Sequence, residues 1–411
     1  MKILNNITAA SLVAAVSVGA AQADDLRMVV DKQNWMEGIQ AMVDGAGEAT
    51  GQTIQADLVT PTDQYQAFIQ TSIAGGNTPD FFSWWNGGQL TDLAETGAAA
   101  DLSAQWDAAI EAGDFSSAQR DLVSVDGLPY AFLMNQASWV TFYNMEAFAE
   151  AGITETPTTW AEFMDACEKL KAAGYTPINA PGTEWMPFIW FSQLVAGVDP
   201  EAFVGINDGS VAYNGEAVQE AFAMWVEMYE RGYFSDPREK DDQKFFVDGS
   251  AAMYLTGDWH TGSFVASGME PGTSLATFLT PPVNADAGLS VIIEAAPILV
   301  SAASLEANPA IGDAVLAMMT ADASNTLGEI AGVYNGNLQA NTPNAIIEAN
   351  MAEIDARQPR GLVRWWEAVP PQIQGDLVSA MGAFMLNPTA EQAEETMTLM
   401  DQISADYWAN N

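Results

Sequence analysis

The sequence has only one cysteine, one histidine and 13 lysine and arginine residues among its 411 residues. The single cysteine, Cys167, excludes an intramolecular disulfide, so stability must come from core burial. With His260 as the only histidine, the chain has no H-E-x-x-H motif, no Cys/His zinc cluster and no Cys-His dyad. It also lacks a G-x-S-x-G elbow, a Walker A loop and a G-x-G-x-x-G fingerprint. We therefore expect no catalytic residue, no metal site and no cofactor.

The formal net charge is −41 because 54 residues are aspartate or glutamate. Nucleic acids and anionic lipid surfaces would repel such a chain, so we expect no nucleic-acid partner. Long stretches contain no basic residue at all, and a strongly anionic ligand would depend chiefly on Arg357, Arg360 and Arg364. So many carboxylates form accidental pairs that they carry no information about glycosidase chemistry.

The N-terminus is typical of a secretion signal. Lys2 precedes an apolar stretch over residues 7–20, and Ala21-Gln22-Ala23 forms an A-x-A cleavage site. This stretch is too short to span a bilayer, and no later apolar run reaches that length. We predict a signal peptide over residues 1–23, cleavage after Ala23 and export to the periplasm of a diderm bacterium. Because Cys167 is far from the cleavage site, we expect no lipid anchor.

Strand and helix patterns alternate along the first part of the mature chain. The predicted elements are a strand at 26–30, a helix ending at Gly51, a strand at 54–59, a helix ending at Gly75 and a buried parallel strand at 81–85. Such alternation is typical of an α/β sheet with right-handed crossovers.

The later part of the chain is richer in helix signals. Thr158 or Thr159 can cap a helix whose apolar face includes Cys167 and which ends at Gly174. Because Cys167 lies on that face, core packing is the favoured role for it. Another helix is predicted to end at Gly232, and Thr389 with Gln392 forms a capping-box pattern before the last helix.

Several segments together resemble family 1 of the extracellular solute-binding proteins, which serve ABC importers for carbohydrate. They are residues 75–85 (GGNTPDFFSWW), 142–163 (beginning FYN and containing AGI and TW), 170–174 (LKAAG), 246–259 (FVDGSAAM, then GDW) and 387–388 (NP). They occur in the family's order over nearly all of the mature chain.

This resemblance implies a type II periplasmic-binding-protein fold of two α/β lobes that close by a hinge on a ligand cleft. Both lobes are discontinuous: 24–133 with 295–338, and 134–294 with 339–411. It also implies a non-enzymatic protein, here expected to be a monomer, whose partners are a carbohydrate and the transmembrane subunits of an ABC permease.

Thirteen tryptophans suit a sugar ligand, because a pyranose has apolar faces for stacking and a polar rim for hydrogen bonds. Trp259 matches the family's stacking tryptophan, with core packing as the alternative. Asp258 either accepts hydroxyl protons or caps the next helix. His260 is a further candidate contact, with a structural role as the alternative.

Two strand ends carry further candidates, since open α/β sheets bind ligands there. Trp84, Trp85 and Asn86 end the predicted strand at 81–85, and only one tryptophan can face the cleft directly. The family alignment favours Trp84, with Asn86 beyond it. Gln33 and Asn34 follow the first strand, and helix capping is the alternative role of Asn34.

The remaining candidates lie in a Gly/Pro-marked loop, near the first predicted lobe crossing and in a late helix. They are, respectively, Glu184 and Trp185; Asn135 and Trp139; and Arg364, Trp365 and Trp366.

Three hypotheses for the function follow. The first is transport binding of a carbohydrate, which we expect to be neutral or weakly charged because the first lobe has few basic residues. The second is a charged or modified ligand, such as a sulfonated or phosphorylated glycoside, bound through Arg364. The third is a secreted glycoside-active enzyme.

Overall fold

The computed structural model describes residues 25–410 of the chain. The predicted signal peptide and its cleavage site lie outside the described residues. No helix in the described range combines the length and the apolar character that a membrane span needs.

The strands form one large mixed sheet and one short hairpin. Their bounds are β1 Leu26–Val30, β2 Ile54–Leu58, β3 Phe81–Ser83, β4 Ser124–Val125, β5 Leu128–Pro129, β6 Ala131–Asn144, β7 Thr176–Asn179, β8 Ala251–Gly257, β9 Leu275–Phe278, β10 Ser290–Val300 and β11 Arg360–Val363.

Helices surround these strands. Their bounds are α1 Met36–Thr50, α2 Thr62–Ala74, α3 Gly88–Glu95, α4 Ser103–Glu111, α5 Ser117–Asp121, α6 Met145–Glu150, α7 Trp160–Ala172, α8 Phe188–Val198, α9 Pro200–Asp208, α10 Glu216–Glu230, α11 Lys244–Val247, α12 Thr261–Ala266, α13 Ala302–Ala307, α14 Ile311–Met318, α15 Ala321–Ala331, α16 Ala345–Arg357, α17 Trp365–Ala368, α18 Pro371–Leu386 and α19 Ala390–Trp408. Short 3₁₀ turns occur at Gln33–Trp35, Asp258–His260 and Ala285–Ala287.

The predicted α/β alternation is confirmed. The strand order is β2-β1-β3-β10-β6-β8-β7, with β11 beside β10 and β9 beside β6. Strands β1, β2 and β3 are parallel, as predicted, whereas β10 is antiparallel to both β3 and β6. Strand β3 ends at Ser83, two residues before the predicted end, because the chain turns at Gly87 into α3.

Local sequence signals explain several helix ends. The Thr159 side chain accepts the Glu162 N–H, and Glu162 reaches back to form the full capping box of α7. Hydrogen bonds from Thr158 and Thr159 lower the pKa of Glu162. Helix α1 ends at Gly51, which takes the left-handed conformation (φ 70°) that glycine adopts without a steric cost.

Buried apolar side chains form two large cores and one small core. The first core draws on residues 26–134 and 295–333. The second draws mainly on residues 139–292 and 362–400, and includes the fully buried Cys167. The small third core lies among β6, β8 and β9. The fold is thus a two-lobed α/β fold, and we call the part around the first core the first lobe and the remainder the second lobe.

Two long strands, β6 and β10, connect the lobes. The first half of β6 pairs with β10, and the second half pairs with β8 and β9 in the second lobe. The predicted lobe borders at 133/134, 294/295 and 338/339 remain a prediction.

Candidate functional site

A cavity of about 550 Å³ lies between the two lobes. Its first-lobe wall is formed where the parallel strands β1, β2 and β3 end, which is where open α/β sheets place their ligands. The cavity is lined by residues that follow each strand: residues 31–35 after β1, residues 60–62 after β2 and Trp85 after β3.

Eight of the fifteen candidate residues line this cavity. They are Gln33, Asn34, Trp85, Glu184, Trp185, Trp259, Arg364 and Trp366. Asn34 makes no capping bond to the following helix, so the alternative role for it is not observed.

The choice between the two adjacent tryptophans is the reverse of the one expected. Trp85 lines the cavity, whereas the buried Trp84 donates its indole N–H to the carbonyl of Gln89 at 3.0 Å. Neighbouring side chains point in opposite directions along an extended chain, and the hydrogen bond to Gln89 turns Trp84 toward α3. Asn86 also faces away and lines a separate cavity of about 400 Å³.

Two more candidates belong to buried surroundings instead of the cavity wall. Trp365 is fully buried in the second core and donates to the hydroxyl of Tyr213 at 3.1 Å. Asn135 is buried on β6, where its side chain accepts the Tyr334 N–H. Neither side chain is part of the cavity wall.

Asp258, predicted to bind ligand or to cap a helix, lies outside the cavity wall and forms no helix cap. It is buried, and its carboxyl accepts a hydrogen bond from the side chain of Asn350 at 3.3 Å. Burial raises the pKa of Asp258 to about 7.

Trp139 and His260 lie behind the cavity wall and hold groups that line it. The Trp139 indole donates to Glu294 at 3.1 Å, and His260 Nε2 lies 3.3 Å from Asp242 Oδ2. His260 Nδ1 also bonds the Thr256 hydroxyl at 2.8 Å. Both residues thus position cavity-lining carboxylates.

Trp259 is held in place from several sides. Its indole N–H donates to Glu294 Oε2 at 2.9 Å, and its ring meets Trp35 edge-on at a centroid distance of 6.3 Å. The ring also stacks on His260 at 4.0 Å. A Cβ at position 257 would lie 2.1 Å from the Trp259 indole nitrogen, so the glycine of the Gly-Asp-Trp segment permits this close approach.

A buried charge network lies beside the cavity. Glu294 on β10 accepts three groups through one oxygen, Oε2: the indoles of Trp139 and Trp259, and Arg364 Nη1 at 2.7 Å. The Nε and Nη2 groups of Arg364 pair with the buried Glu367.

The pKa values of this network reflect burial and pairing. Burial lowers the pKa of Arg364, but the charges of Glu294 and Glu367 outweigh it and raise the pKa above the usual arginine value. Burial also raises the pKa of Glu367, and Arg364 offsets only part of that effect. Arg364 is therefore a cation already committed to two carboxylates.

Two other ionisable groups are also held by neighbours. Lys32 Nζ lies 3.0 Å from Asp31 Oδ1 and within 6 Å of the ring centroids of Trp35 and Trp85. Burial raises the pKa of Asp242, yet the hydrogen bond from His260 and a second from Tyr254 leave it below the usual aspartate value. Asp242 therefore faces the cavity as a carboxylate.

Sequence reasoning missed nine cavity-lining residues: Asp31, Lys32, Trp35, Thr60, Pro61, Thr62, Asp242, Gln243 and Glu294. The strand-end argument that selected Gln33 extends to residues 31–32 and 60–62, which follow β1 and β2 directly. Asp242, Gln243 and Glu294 carry no such local signal, since only the tertiary fold brings them to the cavity.

The cavity is suited to binding and shows no metal-binding arrangement. Within residues 25–410, no three His, Cys, Asp or Glu side chains are grouped so that they could hold a metal ion. The lining combines five tryptophan rings with amide, hydroxyl and carboxylate groups, a composition that binds polar molecules with apolar faces.

Residues 31–325 match the family described as bacterial extracellular solute-binding protein. Among curated relatives, the diacetylchitobiose binding protein of Streptomyces coelicolor is 30% identical over 234 residues, covering 55% of this chain and 50% of that protein. An sn-glycerol-3-phosphate-binding periplasmic protein of Brucella abortus is 28% identical over 156 residues, covering 36% of each chain. The chain thus spans about half or less of the length of these relatives.

A solved structure described as a chitin oligosaccharide binding protein has the same fold. It superposes with a TM-score of 0.80 at 20% identity, covering 93% of this chain and 99% of that chain.

Proposed function

Because this chain belongs to the bacterial extracellular solute-binding proteins, we propose that it binds a carbohydrate between its lobes and delivers it to an ABC importer. The observation that carries this proposal is the interlobe cavity of about 550 Å³ with five tryptophans in its wall: Trp35, Trp85, Trp185, Trp259 and Trp366. Pockets of this size and composition are usual for small-molecule ligands.

Sugar chemistry matches the two kinds of side chain in this wall. The C–H faces of a pyranose are apolar and cover an indole ring well, while the hydroxyls at its rim need donors and acceptors. Gln33, Asn34 and Gln243 supply amide groups of both kinds, and Thr60 and Thr62 add hydroxyls.

One buried donor is also available. The indole N–H of Trp366 is buried and finds no acceptor among residues 25–410. Buried donors without acceptors are rare and costly in folded proteins. A hydroxyl oxygen of the bound sugar would satisfy this group.

We further propose that the lobes, with borders at 133/134, 294/295 and 338/339, close on the ligand by a hinge. Trp259 supports this, because it follows the second-lobe strand β8 and packs against Trp35 of the first lobe. Ligand held between such surfaces favours the closed form, which is the form offered to the permease.

The proposed location is the periplasm, with the signal peptide removed after Ala23 and no lipid attached. The proposed working form is a monomer that contacts the transmembrane subunits of the importer. Periplasmic relatives of the same family support this location. No glycosidase activity is proposed, and chromogenic glycosides should remain uncleaved.

The anionic-ligand alternative finds less support at this cavity. Its main candidate, Arg364, already pairs with Glu294 and Glu367, and Lys32 pairs with Asp31. An anion would have to compete with these carboxylates. The Brucella relative named for sn-glycerol-3-phosphate makes a phosphate ester a necessary member of any ligand screen.

A thermal-shift screen tests the proposed function. Binding to the folded state raises the melting temperature with ligand concentration, so a sugar should raise it in a saturable way. The screen should include neutral sugars, amino sugars, sugar acids, polyols and glycerol phosphates. Stabilisation by a phosphate ester alone, or by no carbohydrate at any length from one to four units, would contradict the proposal.

A further inference from the structure

The ionisable side chains that line the interlobe cavity are mostly acidic. Four are carboxylic acids, Asp31, Glu184, Asp242 and Glu294, and two are basic, Lys32 and Arg364. Both basic groups are paired, Lys32 with Asp31 and Arg364 with two carboxylates. Lys32 offsets Asp31 and Arg364 offsets Glu294, so Glu184 and Asp242 leave a net negative charge toward the cavity.

Glu184 is the most accessible of these acids. It is exposed at the cavity and has no ion-pair or hydrogen-bond partner in the described part of the chain. Its backbone has φ 55°, a left-handed conformation that is costly for a residue with a Cβ. Strain of this kind clusters at ligand-binding positions and is held there by the surrounding structure.

Glu294 presents a second acceptor. Its side chain is more than nine-tenths buried, and all three of its protein donors use Oε2. Oε1 receives no hydrogen bond from any residue between 25 and 410, although Glu294 lines the cavity. A carboxylate oxygen in the cavity wall without a protein donor favours a ligand group that brings one, above all a charged donor.

The tryptophan walls are suited to a cation as well as to a sugar ring. Lys32 already holds its ammonium 5.9 Å from the ring centroid of Trp35 and 5.6 Å from that of Trp85. Ammonium groups at this distance from an indole face are attracted by the ring quadrupole. The same cavity is lined by three further tryptophans, Trp185, Trp259 and Trp366.

We propose that the carbohydrate bound in this cavity carries a free, protonated amino group, so that the ligand is an amino sugar or an oligosaccharide of amino sugars. The ammonium group is recognised by the carboxylates of Glu184, Asp242 and Glu294, and the ring by the tryptophans. This proposal rests on the proposed carbohydrate function and narrows its ligand class.

Calorimetry with matched ligands tests the charge directly. Glucosamine, galactosamine and mannosamine are compared with their N-acetyl and 2-hydroxy counterparts, and the chitosan disaccharide with the chitin disaccharide. N-acetylation removes the charge and keeps the ring. At least one free amine should bind fivefold or more tightly than both of its neutral counterparts, and added salt should reduce that advantage.

The possible failures of the two proposals are distinct. Equal or tighter binding of the N-acetyl or hydroxyl form would overturn the amino-sugar inference and leave the carbohydrate function standing. Binding of choline with no binding of any sugar would overturn both. Both proposals would also be overturned if none of these compounds binds and a phosphate ester binds in the wider screen.

Glu184→Gln separates charge from shape in the protein. Loss of one exposed carboxylate should weaken binding of the free amine about two- to fivefold and leave binding of the N-acetyl form unchanged. Glu230→Gln is the matched control, because Glu230 is exposed on the same lobe and does not line the cavity; it should bind both forms as the wild type does. An equal loss for both ligands in Glu184→Gln would contradict recognition of the charge.

Discussion

The replacement Trp259→Ala should weaken carbohydrate binding and should destabilise the protein less than the loss of a core tryptophan does. Trp259 is only partly buried and lines the interlobe cavity, with its indole N–H bonded to Glu294 at 2.9 Å. Loss of an indole face from a sugar site costs about 1–3 kcal/mol of binding free energy, or roughly five- to 150-fold in Kd.

The expected loss of stability follows from the contacts of the ring. Trp259→Ala removes one hydrogen bond to a carboxylate, the edge contact with Trp35 and the stacking on His260. Glu294 keeps Trp139 and Arg364 as partners, so no buried charge is left alone. We expect the free energy of unfolding to fall by about 1–3 kcal/mol, less than the about 3–5 kcal/mol typical of a core tryptophan.

Two further variants serve as controls. Trp259→Phe keeps an aromatic face and loses the N–H group, so it should retain most of the affinity. Trp106 is fully buried in the first core and donates to the carbonyl of Ala131 at 2.8 Å. Trp106→Ala should therefore lose about 3–5 kcal/mol of stability while the folded fraction binds normally.

The assay combines urea unfolding without ligand and calorimetry with the sugar found in the screen. The reasoning is refuted if Trp259→Ala binds with wild-type affinity. It is equally refuted if the free energy of unfolding of this variant falls as much as that of Trp106→Ala. Packing and not recognition would then explain Trp259.

Three other predictions concern processing, the charge network and pH. The intact mass of the protein recovered from the periplasm should correspond to cleavage after Ala23 with no lipid; an added lipid mass would contradict this. Arg364→Ala leaves the buried acids Glu294 and Glu367 without their cation, so urea unfolding should show a loss of about 3–5 kcal/mol, and a loss below 1 kcal/mol would exclude a tightly coupled network. Burial raises the pKa of Asp258 from 3.8 to about 7, so the folded state holds a proton that the unfolded chain releases, and the stability contributed by this group falls as pH rises between these values. Asp258→Asn should therefore lose stability less steeply than the wild type from pH 5 to pH 7; identical slopes in urea unfolding would contradict the raised pKa.

Local sequence patterns predicted some of the cavity-lining residues and not others. Gln33 and Trp85 were found because they follow strands that the apolar pattern identifies, and strand ends meet at one edge of a parallel sheet. The sequence favoured Trp84 as the ring that faces the cavity, whereas Trp85 lines it and Trp84 donates a hydrogen bond to Gln89 of α3. That bond depends on how the chain turns after β3, which the strand pattern does not encode.

The sequence by itself determined the local elements and the family. Strand β1 matches the predicted bounds, and the cap of α7 and the left-handed Gly51 lie where the sequence places them. The sequence predicted the cap at Thr158 or Thr159 but not its capping box, and at Thr389 only the half of the predicted box in which Thr389 accepts the Gln392 N–H is formed. Caps and helix ends depend on neighbours within a few residues, so the order of residues is enough to specify them.

Only the tertiary structure decided the electrostatics of the cavity. Glu294 and Arg364 are 70 positions apart, and Asp242 and His260 are separated by α11 and β8. Arg364, read from the sequence as a possible anion-binding group, is committed to Glu294 and Glu367 once the chain is folded. Whether a charge is free or paired depends on partners that packing brings within about 4 Å. A local pattern of residues does not predict which distant partners will be that close.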